Sequence, residues 1–269
     1  MPMPRVEEKI MQEARRTVRS ADGTEIAFER SGSGPALVMI DPAGGYSGFD
    51  NIRGLGAELA ERFTVHTYDR RGRGKSGDTP PYAVRREVED LAAVISAAGG
   101  SALVYGYSSG ALLALHAAAA GLPIERLALF EPPVRAEDEP PDTAFTAEIA
   151  ALVSSGARAA TVKRFLTAIG MPPEMLTEPM PGLEAVAHTL VYDCEISNAT
   201  TYELLRSVRT PTLVLDSQGS SDDLTEGTAA LVAALPNGTG RSLPGGWHGV
   251  PDKELAPVLT EFFQDRGTP

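Results

Sequence analysis

Strand-like and helix-like segments alternate along the chain, and that order predicts an α/β fold: a mostly parallel central sheet, helices on both its faces, and a helical cap inserted after the sixth strand. Three observations carry the prediction. Residues 36–40, 102–105, 127–130 and 212–215 are short, mostly apolar runs, as strands buried on both faces require. Between them lie segments with helical spacing of apolar residues, at 52–62, 88–98, 111–120 and 228–235. The rhythm stops between Pro132 and about Val208, where the pattern is helical, interrupted by prolines and free of any convincing strand.

Taken in order, residues 1–16 mix Glu and Arg and read as a lead-in or short surface helix. Residues 17–20 and 25–29 flank Asp22-Gly23, which supplies positive φ cheaply and so predicts a hairpin. After Gly32-Ser33-Gly34-Pro35 comes the run at 36–40, then the helical stretch 52–62, then a strand at 63–68. Pro132-Pro133 and Pro140-Pro141 open the insertion, Met171-Pro172-Pro173 and the prolines Pro179 and Pro181 divide its helices, and Thr210-Pro211 returns the chain to the sheet. The division is a lead-in at 1–16, a core at 17–132 and 209–269, and a mobile helical cap at 133–208.

Composition narrows the functional classes. A chain of 269 residues with 42% hydrophobic and 22% charged residues can bury a core, which excludes a disordered or collagen-like chain. The 24 basic and 36 acidic residues give a net charge of −12, a field that repels phosphate backbones, so nucleic acid is excluded as a partner. No uncharged stretch approaches membrane-spanning length, and the N-terminal residues lack the apolar core of a signal peptide. One cysteine, Cys194, can form neither an internal disulfide nor a thiolate metal cluster, so a reducing cytoplasm is the expected location. No metal or organic cofactor is implied; the expected partner is a small-molecule substrate, and the oligomeric state is left open.

The chemistry concentrates at Gly106-Tyr107-Ser108-Ser109-Gly110, which follows a buried strand and opens an Ala-rich helix. This is G-x-S-x-G in the context of a nucleophile elbow, where the residues two before and two after the serine must be small so that strand and helix can approach. Here the chain resembles the α/β-hydrolase family, from Thr17 to Phe263. Tyr68-Asp69-Arg70-Arg71-Gly72-Arg73-Gly74-Lys75-Ser76-Gly77 resembles the family's turn after its fourth strand, Leu129-Phe130-Glu131-Pro132-Pro133 the end of its sixth, and Thr210-Pro211-Thr212-Leu213-Val214-Leu215 its seventh. The closest resemblance is to capped members common in actinobacteria. The resemblance implies the α/β-hydrolase fold, a serine nucleophile (Ser108), a histidine base, an acid that orients it, and an oxyanion hole of backbone amides.

Other readings of the arginine-rich turn fail. Residues 72–77 satisfy G-x-G-x-x-G, but the dinucleotide reading is the weaker one, and a P-loop would need glycine where Asp69 stands. Arg70, Arg71, Arg73 and Lys75 read as a solvated turn paired with Asp69 and Asp78. Of the four histidines, His66, His116 and His188 read as core or surface residues. His248, in Pro244-Gly245-Gly246-Trp247-His248-Gly249-Val250, lies where the resemblance places the base. The family's usual aspartate falls near Ser220, so Glu131 ranks first as the acid, because some members carry it at the end of the sixth strand. Asp222 and Asp216 follow, although Asp222 and Asp223 also suit a helix N-terminus.

The oxyanion loop departs from the family, with Asp41-Pro42 in place of the usual His-Gly. Pro42 has no N–H, so the donors would be Ala43 and Ser109. A carboxylate about 4 Å from a developing oxyanion would cost roughly 4 kcal/mol at an effective dielectric near 20. That is comparable with losing one donor, about 2.7–4 kcal/mol. Asp41 must therefore turn away or serve another reaction. The substrate pocket is expected to draw on Asp41, Gly44, Tyr107 and Trp247. Three functions follow: a serine hydrolase or acyltransferase acting on an ester, thioester or lactone; a non-hydrolytic isomerase, cyclase or proton-transfer catalyst using Asp41 and His248; or a ligand-binding protein without turnover.

Overall fold

The computed structural model describes residues 15–49, 51–176 and 179–265. Within them one sheet holds eight strands: β1 (Arg15–Arg19), β2 (Glu25–Gly32), β3 (Ala36–Ile40), β4 (Thr64–Tyr68), β5 (Ala102–Tyr107), β6 (Ile124–Phe130), β7 (Thr212–Ser217) and β8 (Gly238–Leu243). Their spatial order is β1-β2-β4-β3-β5-β6-β7-β8. β2 runs antiparallel to both β1 and β4, and every other neighbouring pair is parallel. The lead-in expected at 1–16 lies outside the described residues up to position 14, and β1 already begins at Arg15.

Two cores lie on opposite faces because successive side chains of a strand alternate in direction. Val38 and Ile40 of β3 pack with helices α2 (Val84–Ala98) and α3 (Ser109–Ala119), whereas Leu37 and Met39 pack with α1 (Arg53–Leu59). With both faces covered, β3 must be apolar at each of its positions, and the run at 36–40 is. Strand β8 lacks such a run because it closes the sheet edge with most of its side chains exposed.

Residues 133–208 contain no strand among those described. They form α4 (Thr143–Ser154), α5 (Arg158–Ala168), α6 (Pro181–Ala185), α7 (Leu190–Ala199) and α8 (Tyr202–Ser207), with short 3-10 turns at Pro173–Met175 and Ala187–Thr189. Ile149, Val162, Phe165, Leu183 and Leu190 build a separate apolar cluster there. The segment is tied to the sheet at its C-terminal end: Ile196, Leu205 and Val208 belong to the main core, while Cys194 on the same α7 faces the separate cluster. The chain then continues through α9 (Asp222–Ala234) and α10 (Asp252–Gln264).

His66 in β4 is buried and His116 in α3 is half-buried. Burial lowers the pKa of each below the ordinary histidine value. A group whose folded pKa is depressed binds more protons when unfolded, so stability rises with pH across the window at and below about 6.5. Thermal stability should therefore fall as pH is lowered from 7 towards 5, and a His66→Gln/His116→Gln double variant should show a shallower fall in that window. An unchanged slope would contradict the assignment.

Candidate active site

Every sequence-derived candidate except Asp222 stands at or just beyond the carboxyl end of a parallel strand. Asp41 follows β3, Ser108 follows β5, Glu131 follows β6, Asp216 lies within the end of β7, and His248 lies in the loop after β8. In open α/β sheets this edge is where ligands bind.

The turn at Ser108 depends on two close approaches. A Cβ at Gly106 would stand 2.6 Å from the Ala111 Cα, and one at Gly110 would stand 2.5 Å from the Asp41 carbonyl oxygen. Both obstacles are backbone, which cannot swing aside. Strand and helix therefore meet tightly enough to hold Ser108 at φ +54°, ψ −120°, a conformation that side chains avoid at a cost of about 1–3 kcal/mol. The Ser108 amide donates to the Phe130 carbonyl at 2.8 Å, which registers the turn against β6. Ser109 is the first residue of α3, so its amide has no partner within the helix.

Strain recurs at two more positions. Among the described residues, the non-glycine residues with positive φ are Ser108, Glu131 (φ +43°) and His248 (φ +51°). His248 Nδ1 lies 2.5 Å from Glu131 Oε2, and the Ser217 amide donates to Glu131 Oε1 at 2.7 Å. The Glu131 carboxylate is fully buried. Its two oxygens are thus engaged on one side by the imidazole and on the other by β7. The backbone of His248 is held as well: its amide donates to Ser220 Oγ at 2.9 Å, and its carbonyl accepts from the Tyr107 hydroxyl. Asp222 instead sits exposed in the first turn of α9, and Asp216 lies within β7, so the imidazole's carboxylate partner is Glu131. Tyr107 and Trp247 flank the ring at tilted angles, with centroids 5.1 and 5.3 Å from it.

A profile of the alpha/beta hydrolase family matches residues 37–258. The chain belongs to that family. It is 46% identical to an alpha/beta hydrolase from Sphaerobacter thermophilus DSM 20745, over 93% of this chain and 100% of that one, with a TM-score of 0.86. An esterase, RhEst1, from Rhodococcus sp. ECU1013 shares the fold at 19% identity and a TM-score of 0.71, over 94% of this chain and 100% of that one. The uncharacterized hydrolase YraK of Bacillus subtilis (strain 168) is 32% identical over 97 residues, which are 35% of this chain and 35% of YraK. The chain thus spans about a third of that curated relative. The α/β-hydrolase fold expected from sequence is the fold observed, and family and neighbours support an enzyme.

The chain departs from its sequence reading at Asp41. Expected in the substrate pocket, Asp41 is fully buried, with its carboxylate 3.6 Å from Arg53 Nη1 and packed under Gly45. Arg53 lies 3.7 Å from Glu29 and 3.6 Å from Asp69 as well. The loop that follows Asp41 faces the helical segment: Ala43 and Tyr46 pack on its apolar cluster, and a Cβ at Gly44 would stand 2.0 Å from Leu183 Cδ1.

The arginine turn is the second correction. Arg70, Arg71 and Arg73 are buried, not solvated, and of the four basic residues Lys75 alone is exposed. Their partners lie far away in sequence, which hid them from a reading of local charge. Arg70 forks onto Glu87 at 2.7 and 2.9 Å and reaches Asp193 at 3.0 Å. Arg71 forks onto Asp90, both bonds 2.7 Å, and reaches Asp22 at 3.0 Å. Arg73 Nη2 meets both oxygens of Asp193, at 2.9 and 2.8 Å, while its Nη1 donates to the Pro42 carbonyl at 3.0 Å. Ser109 Oγ joins them, donating to Asp193 Oδ1 at 2.8 Å and accepting from Arg70 at 3.0 Å. Burial works against the charged form of Asp193, but Arg73 and Arg70 outweigh it and hold the carboxyl below its ordinary range. No local signal set Asp193 apart in the sequence, since Glu195 stands two residues on in the same helix.

Gly110→Ala should destabilise the fold by about 1–3 kcal/mol or more, because its methyl meets backbone. Gly246→Ala meets nothing within 4 Å and should stay within about 0.5 kcal/mol of wild type. Denaturant midpoints of the two variants check the difference, and equal midpoints would remove the steric basis of the turn.

Proposed function

We propose that this family member is a serine hydrolase or acyltransferase that acts on an ester, thioester or lactone through an acyl-serine intermediate. The observation that carries the reading is the shared backbone strain: Ser108, Glu131 and His248 come from three separate segments, yet they share the positive φ found at no other non-glycine residue among those described. Strain of this kind persists where surrounding structure enforces it, and it clusters at active sites.

Ser108 Oγ attacks the acyl carbon while His248 takes its proton through Nε2, the nitrogen opposite the one that faces Glu131. The carbonyl π electrons move onto oxygen, where the Ala43 and Ser109 amides receive the charge. Collapse expels the alcohol or thiol, which leaves with the proton from His248. Water or another acceptor then attacks the acyl-serine by the reverse sequence. Glu131 fixes the imidazole tautomer and stabilises the imidazolium. Gly44, Tyr107 and Trp247 border the pocket, and the helical segment 133–208 acts as a cap over it. Asp41 takes no part as acid or base, since its carboxylate is directed at Arg53.

A fluorophosphonate should label the chain at Ser108, and Ser108→Ala should abolish labelling. Glu131→Gln should lower kcat by about 10²–10⁴-fold, while Asp222→Asn and Asp216→Asn stay within a few-fold. A larger loss in either aspartate variant would move the acid to the region after β7. Asp41→Asn should keep ester hydrolysis within about tenfold of wild type and lower the melting temperature. Intact Ser108 labelling with turnover abolished by that single change would favour the non-hydrolytic alternative.

A further inference from the structure

We propose that Asp193, carried on cap helix α7, is a positioning residue that sets both halves of the oxyanion hole at once; this rests on the acyl-transfer reading above. One half runs through Arg73. Its guanidinium grips Asp193 with Nη2 and the Pro42 carbonyl with Nη1. The Pro42 carbonyl and the Ala43 amide are the two ends of one peptide group. A trans peptide is planar with its C=O and N–H pointing in opposite directions, so fixing the carbonyl fixes where the Ala43 N–H aims. The Gly45 amide also donates to that carbonyl, at 3.0 Å, which closes the turn around it.

The other half runs through Ser109. Its hydroxyl donates to Asp193 Oδ1 and accepts from Arg70, so the side chain of the residue whose amide is the second donor is locked to the same carboxylate. Asp193 Oδ1 thereby accepts from Arg70, Arg73 and Ser109 together. The two amides come from loops on different strands, β3 and β5, and neither loop donates to or accepts from the other in these contacts. A carboxylate from the cap is the common anchor. The consequence is that the hole is correctly shaped only while α7 is docked, which couples closure of the cap to stabilisation of the transition state. Glu87 completes the cluster by pairing with Arg70 and accepting from the Tyr82 hydroxyl at 2.9 Å, so that the arginine is already aligned when Asp193 meets it.

The test uses the full-length chain and a matched pair of substrates, 4-nitrophenyl acetate and its thionoacetate analogue. Sulfur is a poor hydrogen-bond acceptor on a longer bond, so the thionoester draws little from an oxyanion hole, and the ratio of the two kcat/KM values reads the hole directly. Asp193→Asn should lower kcat for the oxygen ester about 10²-fold, as for loss of one donor, change KM less than threefold, and leave the thionoester much less affected. Arg73→Lys keeps the charge but cannot span Asp193 and Pro42 together, and Ser109→Ala removes only the second link. Each should reduce the oxygen-to-sulfur ratio in the same direction, and they carry the test if Asp193→Asn does not fold by circular dichroism. Folded variants that keep the wild-type ratio, whatever their kcat, would overturn the proposal, because a merely structural role lowers both substrates alike. A wild type that neither labels at Ser108 nor turns over the oxygen ester would overturn the acyl-transfer reading and the role of Asp193 with it.

Discussion

The remaining geometry of the site depends on the close backbone approach between β5, α3 and the end of β3. With Gly106 against Ala111 and Gly110 against the Asp41 carbonyl, the chain has no room for any other turn at Ser108. The same contact places the first amide of α3 beside the loop that begins at Asp41. It also leaves Ser109 Oγ facing the buried arginines. A methyl at either glycine would push helix from sheet and would disturb the serine, the loop and the charge cluster together.

Electrostatics extends this constraint outward. Arg70, Arg71 and Arg73 follow one strand and are buried in a protein whose net charge is −12, so acidic partners are plentiful, but those chosen come from α2, from the β1–β2 turn and from α7. Buried pairs contribute little net stability against apolar replacements, yet removing one member is costly because a charge is left uncompensated. Such a cluster therefore specifies position more than it adds stability. What it positions is the helical segment, through Asp193, against the turn after β4 and the start of α3. The second carboxylate system, Asp69, pins the loop after β3 through the Ser47 amide and hydroxyl, at 2.6 and 2.8 Å. The loop that bears Ala43 is thus held at Pro42 by Arg73, itself paired with Asp193, and at Ser47 by Asp69.

The elements that were legible in the sequence are those whose surroundings leave a local trace. The central stretches of strands β3, β5, β6 and β7 are buried on both faces and so had to be mostly apolar, and the elbow glycines had to be small. Helix starts were less visible: α2 begins at Val84 and α9 at Asp222, each ahead of its apolar stretch, because the first turns face solvent. Strand β8 escaped for the same reason at the sheet edge. The candidate acid Glu131 was readable through family resemblance, but the vacant aspartate position said nothing of what Ser220 does there, which is to hold the His248 amide. The arginines were misread because spacing near 69–78 suggests a solvated turn, and their true partners are set by tertiary packing between Asp22 and Asp193. Asp41 was read as a pocket carboxylate, whereas it is buried 3.6 Å from Arg53, whose proximity no sequence distance reveals.

The proposed reaction passes an acyl group through Ser108. Rapid quench of the enzyme with 4-nitrophenyl acetate, followed by peptide mass spectrometry, tests it most directly. Passage through Ser108 predicts a burst of nitrophenolate and a transient acetyl adduct on the peptide carrying Ser108. Steady turnover of the ester by wild type, with Ser108 unmodified at every quench time and with Ser108→Ala as active as wild type, would contradict it.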